Sequence, residues 1–372
     1  MGPVRRGHAF LGPSGTFCES ALVALSDPAG APRIAVPSVE AAIASVVAGQ
    51  AEDAVIPIES SMGLIDDSLD HLTHGVRILR ETWVPVRFVL AALPGTQLHD
   101  VRRIATHSQA YAQTQKWLSK NLSEVSYQPA SSTARAAETL RDPDAAHDAA
   151  ICSPSAAEKY HLRILAADLS PDSQPHTRFV KVGISRREYL SDPTGDDTTS
   201  LVLAGSTHNL LSIAGKLAAC QVEILRVRFR FNAKNAAYRG YLWLDCRGHI
   251  SEHSLATAIS AIRCRADLRV IGSYPTSQRP PADSREEGAA GFRAVLNHRA
   301  ATQYAMLSDP AKLAASNLLS RIADDPQYCP RYRRDWPSQW RLGTFNSWGL
   351  LTYLNVHSQH QSIILCIDWA GE

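Results

Sequence analysis

The chain has 372 residues, of which 45% are hydrophobic and 20% charged, ordinary globular values that exclude wholesale disorder, a collagen-like fibre and a coiled coil. At about 150 residues per domain, this length corresponds to roughly two to three domains. The 38 basic and 36 acidic side chains leave a formal charge of +2, so no global field draws nucleic acid or a membrane surface, and an anionic ligand must be met by local charges.

Seven cysteines lie scattered with no CxxC pair, an odd count that suits reduced buried thiols and a cytoplasmic location. No apolar stretch approaches the ~20 residues of a membrane span, and no hydrophobic region of signal-peptide length follows the opening arginines, so neither membrane insertion nor secretion is expected. Arg6 stands where a myristoylation pattern wants Ser or Thr.

Along the chain, short apolar runs at 54–58, 88–92, 103–106, 149–152 and 179–182 read as buried strands. Ala-rich stretches of helical spacing at 39–49, 109–122 and 132–141 alternate with them, as in an α/β sheet covered on both faces. The polar run 185–199 has the composition of a linker, and a domain boundary is placed there. Beyond it the pattern predicts strand 201–204, helix 209–220, strands 222–231 and 238–246, helix 254–263 and strand 268–274, a ferredoxin-like βαββαβ unit. A second linker-like run spans 277–284. The tail from about 282 to 372 holds Trp336, Trp340, Trp348 and Trp369 and remains unassigned. Its basic-aromatic segment 328–334 is read as a solvated loop rather than a nucleic-acid contact.

Several turns carry candidate chemistry. Gly12-Pro13-Ser14-Gly15-Thr16-Phe17 follows a short apolar strand and precedes a helix, offering backbone N–H groups and hydroxyls to an anion. Glu59-Ser60-Ser61 and His107-Ser108-Gln109 end further strands, and Ser131-Ser132-Thr133 opens a helix. Strand ends are where ligands settle in open α/β sheets. Thr177-Arg178-Phe179 then supplies a guanidinium able to grip a carboxylate through two parallel hydrogen bonds.

In this order and spacing, and with Gly272-Ser273-Tyr274-Pro275 closing the ferredoxin-like unit, these motifs resemble prephenate dehydratase with a C-terminal ACT domain, over about residues 9–276. The resemblance implies a periplasmic-binding-protein-like catalytic domain over residues 8–190. Its lobes take about 8–82 with 178–190, and 83–177, and an ACT regulatory domain follows over 198–276. It implies conversion of prephenate to phenylpyruvate with no metal or other cofactor, Thr177 and Arg178 as catalytic residues, and a homodimer or homotetramer. Substrate contacts are expected from Ser14, Gly15, Thr16, Glu59, Ser60, Ser61, His107, Gln109, Ser131, Ser132, Thr133 and Phe179. In particular, Arg178 is expected to polarise the Thr177 hydroxyl.

The chain departs from the family pattern at several points. Ser60 replaces an asparagine, Ser108 replaces a proline, and Pro171 and Pro175 enter the run before Thr177. In the regulatory half, His208-Asn209-Leu210 stands for Gly-Ala-Leu and Arg228-Phe229-Arg230-Phe231 for Glu-Ser-Arg-Pro, which implies weak or absent phenylalanine feedback. Two alternatives stay open: a prephenate decarboxylase that does not aromatise the ring, and a degenerate homologue that binds a small carboxylate.

Overall fold

The protein was analysed as a computed structural model, which describes residues 6–25, 30–60, 63–72, 75–170, 175–184, 192–206, 220, 222–231, 239–263, 267–278, 293–296, 304, 306–329, 340–345, 349–356 and 361–369. The chain divides into two compact units, Met1–Tyr189 with Ser277–Asp283, and Leu190–Thr276 with Ser284–Glu372.

The first unit begins with β1 (Gly7–Leu11), α1 (Phe17–Leu25), β2 (Arg33–Val36), α2 (Val39–Val47), β3 (Ala51–Ser60), β4 (Gly63–Leu64), α3 (Asp66–His71) and β5 (Val76–Pro85). It continues with β6 (Val89–Ala92), β7 (Arg103–Thr106), α4 (Ser108–Asn121), β8 (Ser126–Pro129), α5 (Thr133–Thr139), β9 (Ala149–Cys152), α6 (Pro154–Lys159), β10 (Arg163–Ala166) and β11 (His176–Ile184). These strands form two mixed sheets. One runs β5-β11-β3-β1-β2 with β4 beside β3, and the other runs β10-β6-β9-β7-β8. The chain passes from the first sheet to the second after β5 and returns at β11, and the two crossings touch where the Val86 N–H donates to the Pro175 carbonyl at 2.7 Å.

Strands β6 and β9 are buried at every position, as their unbroken apolar runs require when both faces are covered. Alternation sends Leu90, Ala92, Ala149 and Ile151 to the face packed by Ala110 and Leu118 of α4. Val89, Ala91, Ala150 and Cys152 face Ala134, Ala137, Ala156 and Ala157, small residues that let the short helices α5 and α6 approach closely. Burial holds the Cys18 and Cys152 thiols up at about 12, which makes them inert packing groups.

In the second unit, β12 (Asp197–Ser206), β13 (Ile224–Phe231), β14 (Arg239–Arg247), α7 (His253–Arg263) and β15 (Asp267–Pro275) include an antiparallel sheet in the order β13-β14-β12-β15. The helix expected over 209–220 falls mostly outside the described residues. The expected linker ends early, because β12 takes in Asp197, Thr198 and Thr199. Asp197 closes the preceding turn by accepting the Thr194 and Gly195 N–H groups at 2.7 and 3.1 Å. Polar Thr199 is tolerated inside because its hydroxyl bonds the Gly248 carbonyl at 2.7 Å.

The tail contains β16 (Arg293–Leu296), α8 (Asp309–Asp324), β17 (Trp340–Phe345), β18 (Gly349–Val356) and β19 (Gln361–Trp369), with its strands in the order β16-β19-β18-β17. Ala311, Ala315, Leu318 and Ile322 of α8 pack on Leu351, Tyr353 and Ile364. Of the segment 328–334, only 328 and 329 are described, and four tail tryptophan side chains lie outside the description.

One clamp sets the start of β7. Asp148 accepts the Arg102 and Arg103 N–H groups at 3.0 and 2.8 Å and the Arg103 guanidinium at 2.9 Å. Partial burial pushes its carboxyl up, but the bonds from Arg103 and the two amides outweigh this and hold it below the usual range. A folded-state value below the unfolded one gives stabilisation that is complete above the unfolded pKa and fades as pH falls through the folded value. Asp148→Asn should therefore cost about 1 kcal/mol in urea melts at pH 7, after solvent screening, with the gap closing in acid. Identical melts at pH 7 would show that the clamp contributes nothing.

Candidate active site

The candidate residues gather at one edge of each sheet. In the parallel set β1, β2 and β3, the carboxyl ends carry the glycine turn after β1 and Glu59-Ser60 at the end of β3. Strand β11 runs antiparallel to β3, so its first residues, His176 to Arg178, lie at that same edge. In the second sheet β7, β8 and β9 are parallel, and their carboxyl ends lead to His107, Ser131-Ser132 and Ser153.

The glycine turn is held mostly by its own backbone. The Gly15 N–H donates to Glu19 at 2.6 Å, so this amide is already satisfied. The Gly15 carbonyl accepts the Ser153 hydroxyl at 2.7 Å, and the Ser14 carbonyl accepts the Tyr160 hydroxyl at 3.0 Å. Burial, then the charges of Glu138 and Glu19, raises the Tyr160 phenol and keeps it a donor. The Thr16 hydroxyl donates to the Leu11 carbonyl at 3.0 Å and accepts the Glu19 N–H at 3.3 Å, capping α1. Ser14 differs, because its half-buried hydroxyl makes no hydrogen bond among the described residues.

Strand β11 sorts its residues by face. Thr177 pairs with Val84 and shares its face; Val84 packs on the cluster of Phe10, Cys18, Leu22 and Phe179. Thr177 thus lies on the α1 side, at the edge where the glycine turn sits. It is half-buried, and its hydroxyl makes no hydrogen bond among the described residues. Phe179, two residues on, is 3% exposed and fills that core, so it packs rather than lines an open surface.

Arg178 points to the opposite face. It is fully buried, its Nε donates to Glu81 Oε2 at 2.6 Å, and its second nitrogen reaches the same oxygen at 2.5 Å. Glu59 Oε2 lies 3.6 Å away. The register explains how Glu59 arrives there. Arg178 pairs with Glu59 while Phe179 pairs with Pro57, so Ile58 is an extra residue, and the bulge turns Glu59 toward Arg178. The structure thus corrects the expectation that Arg178 polarises the Thr177 hydroxyl: the alternation of a strand sets them on opposite faces.

In the second sheet, His107 caps α4 by accepting the Gln109 N–H at 3.3 Å, and Ser132 caps α5 by accepting the Arg135 N–H at 3.0 Å. Gln109 and Ser131 are exposed, and Thr133 is half-buried at the start of α5. Ser60 is half-buried at the end of β3, and Ser61 lies outside the described residues. Among the described residues, no trio of His, Cys, Asp or Glu could hold a metal ion, and no helix is long and apolar enough to cross a membrane.

A family model for prephenate dehydratase matches residues 8–187. A prephenate dehydratase of Mycolicibacterium vanbaalenii is 36% identical over 311 residues, covering 77% of this chain and 98% of that protein. The chain belongs to the prephenate dehydratase family. The Mycobacterium tuberculosis enzyme is 35% identical over 306 residues, 77% of this chain and 94% of that one. Among solved structures, a prephenate dehydratase of Arthrobacter aurescens in complex with L-Phe is 34% identical with a TM-score of 0.68, covering 76% of this chain and 96% of that chain. GqqA, described as a novel type of quorum-quenching acylase, is 27% identical with a TM-score of 0.66, covering 73% and 98%.

Sequence reasoning missed Ser153, Tyr160 and Glu81. Ser153-Pro154 carried a signal, because a serine cap followed by proline at the first helical position marks a helix start at a strand end. Glu81 carried none, being one of three charged residues in β5, with Arg77 and Arg80, and in no motif.

Gly15 has φ +88, and an added Cβ would stand 3.0 Å from the Ala156 Cα. Gly15→Ala should cost at least about 1–2 kcal/mol from the backbone conformation alone and displace the turn from α6. Paired chemical-denaturation and activity measurements test this, and a variant as stable and active as the parent would refute the close packing.

Proposed function

We propose that the first unit converts prephenate to phenylpyruvate, carbon dioxide and water, as a carbon–oxygen lyase in phenylalanine biosynthesis. The observation that carries this reading is the Thr177 hydroxyl, half-buried, without a hydrogen-bond partner among the described residues, on the side of the sheet where the glycine turn lies. The reaction is redox-neutral. The electron pair of the breaking carbon–carboxylate bond enters the ring and expels the ring hydroxyl, which leaves as water once protonated, and aromatisation drives the step. Such chemistry asks for positioned donors rather than for a strong acid.

Thr177 assists the departing oxygen. Ser14, Thr133 and the amino end of α4 beside His107 and Gln109 orient the substrate carboxylates. Thr16, Ser132 and His107 contribute chiefly as caps that hold these turns. An acyl-hydrolase reading, raised by GqqA, calls for a base on the nucleophile. Neither Thr177 nor Ser14 has an imidazole or carboxylate hydrogen-bonded to its hydroxyl among the described residues. The free thiols of Cys18, Cys152, Cys220, Cys246 and Cys329 fit a reducing cytoplasm.

Incubation of the full chain with prephenate, followed by alkaline absorbance and mass spectrometry, decides among the products. Phenylpyruvate is expected. A dihydro-hydroxyphenylpyruvate would mean decarboxylation without aromatisation, and untouched prephenate would leave a binding protein. Thr177→Ala should lower kcat by about 10²–10⁴-fold with its melting curve unchanged, and a full rate in this variant would remove Thr177 from the mechanism.

The antiparallel strands β12 to β15 support assigning an ACT domain to residues 198–276, and the homodimer or homotetramer rests on the family resemblance alone. His208, Asn209 and Leu210 lie outside the described residues. Arg228 and Arg230 lie on β13 opposite Trp243 and Tyr241. The loss of the family's glycine and glutamate at these positions supports insensitivity to phenylalanine. Calorimetric titration with L-phenylalanine should give no heat of binding at millimolar ligand, whereas tight inhibitory binding would show that a working site survives.

A further inference from the structure

We propose that Glu81 is a positioning residue for Thr177, acting through Arg178. This rests on the reading of Thr177 as the group that assists the leaving oxygen.

In the register of β5 and β11, Arg178 stands opposite Trp83 and Val180 opposite Glu81. Arg178 and Glu81 are therefore diagonal neighbours on one face, at a Cβ separation of up to ~7–8 Å that two long side chains span. They do so without water, since both side chains are fully buried. Glu81 divides its oxygens between two tasks. Oε2 takes two nitrogens of the guanidinium, and Oε1 accepts the N–H of Ser277 at 2.8 Å. Ser277 belongs to the first unit, so one carboxylate ties β5, the start of β11 and the 277 backbone together.

The geometry gives this tie a use beyond packing. Thr177 and Arg178 share a peptide plane, and the side chain of the second is locked on one face while the hydroxyl of the first is presented on the other. Fixing the guanidinium fixes the angle at which Thr177 meets the sheet edge where the glycine turn lies. A shift of about 1 Å in such a group costs on the order of 10²-fold in rate. Glu59 does not replace Glu81, because it lies 3.6 Å from the guanidinium against 2.5–2.6 Å for Glu81.

The test is a double-mutant cycle in the full chain with prephenate. Glu81→Gln keeps the shape and removes the charge, and should lower kcat by about 30–100-fold with KM within about twofold, measured well below the melting temperature. Glu81→Asp keeps the charge and withdraws it by one methylene, and carries the same test if the glutamine variant does not fold. Each is combined with Thr177→Ala. Because Glu81 acts through Thr177, the double variant should be no slower than Thr177→Ala alone. A wild-type kcat in both Glu81 variants, or losses that multiply in the double variant, would overturn the proposal. A full rate in Thr177→Ala alone would instead refute the underlying reading of Thr177, and with it this role for Glu81.

Discussion

Consecutive residues of a β-strand face opposite sides of the sheet, and at the start of β11 this separates two kinds of chemistry. Thr177 is turned to the side of α1 and the glycine turn, while Arg178 is sealed against Glu81 on the other side. Everything proposed for the site depends on that division. If both side chains faced the glycine turn, the guanidinium would be free to bind substrate directly. With Arg178 inside, the recognition of two carboxylates proposed above rests on hydroxyls and backbone amides, which bind anions with less Coulomb attraction and more directionality.

The same economy appears across the candidate residues. Hydroxyls that looked equivalent as sequence divide into those that hold backbone and those that stand open. Thr16, Ser132 and Ser153 each accept an N–H three residues ahead, as helix caps do, and so fix turns at strand ends. Ser14 and Thr177 make no such bond among the described residues. The departures from the family pattern are absorbed where the local backbone permits. Ser108 is the first residue of α4, a position where proline is favoured because its missing N–H has no intrahelical acceptor, so serine there forfeits only preorganisation. Pro175 is buried and lends its carbonyl to the Val86 N–H, so the crossing keeps this bond with proline there, and Pro171 lies outside the described residues.

Much of this fold was legible because burial on both faces leaves an unmistakable trace. The all-apolar tetrapeptides of β6 and β9 could be little else than central strands. Strands β2, β8 and β10 left no such trace, since each is only four residues long and partly exposed, with no unbroken buried run. The candidate site was legible as a set of strand ends but not as a set of directions. Which groups Arg178 meets on its face is decided by a one-residue bulge at Ile58, which turns Glu59 toward it, and by a carboxylate nearly a hundred positions away, and no local pattern contains either. In the tail, α8 carries a stripe at 311, 315, 318 and 322, and β19 carries the apolar run 363–367.

A buried guanidinium facing two carboxylates is a costly arrangement, and stability alone does not account for it. Taking ions out of water costs several kcal/mol each, and hydrophobic replacements of similar volume are often as stable or more so. What an apolar substitute cannot supply is direction. A guanidinium fork admits few orientations, so Arg178 tied to Glu81 sets the rotation of β11 at the residue before it, where packing of aliphatic chains would leave slack. The cost of burial is then understandable as the cost of holding one weakly acidic hydroxyl in place, in a reaction where position contributes more than acidity.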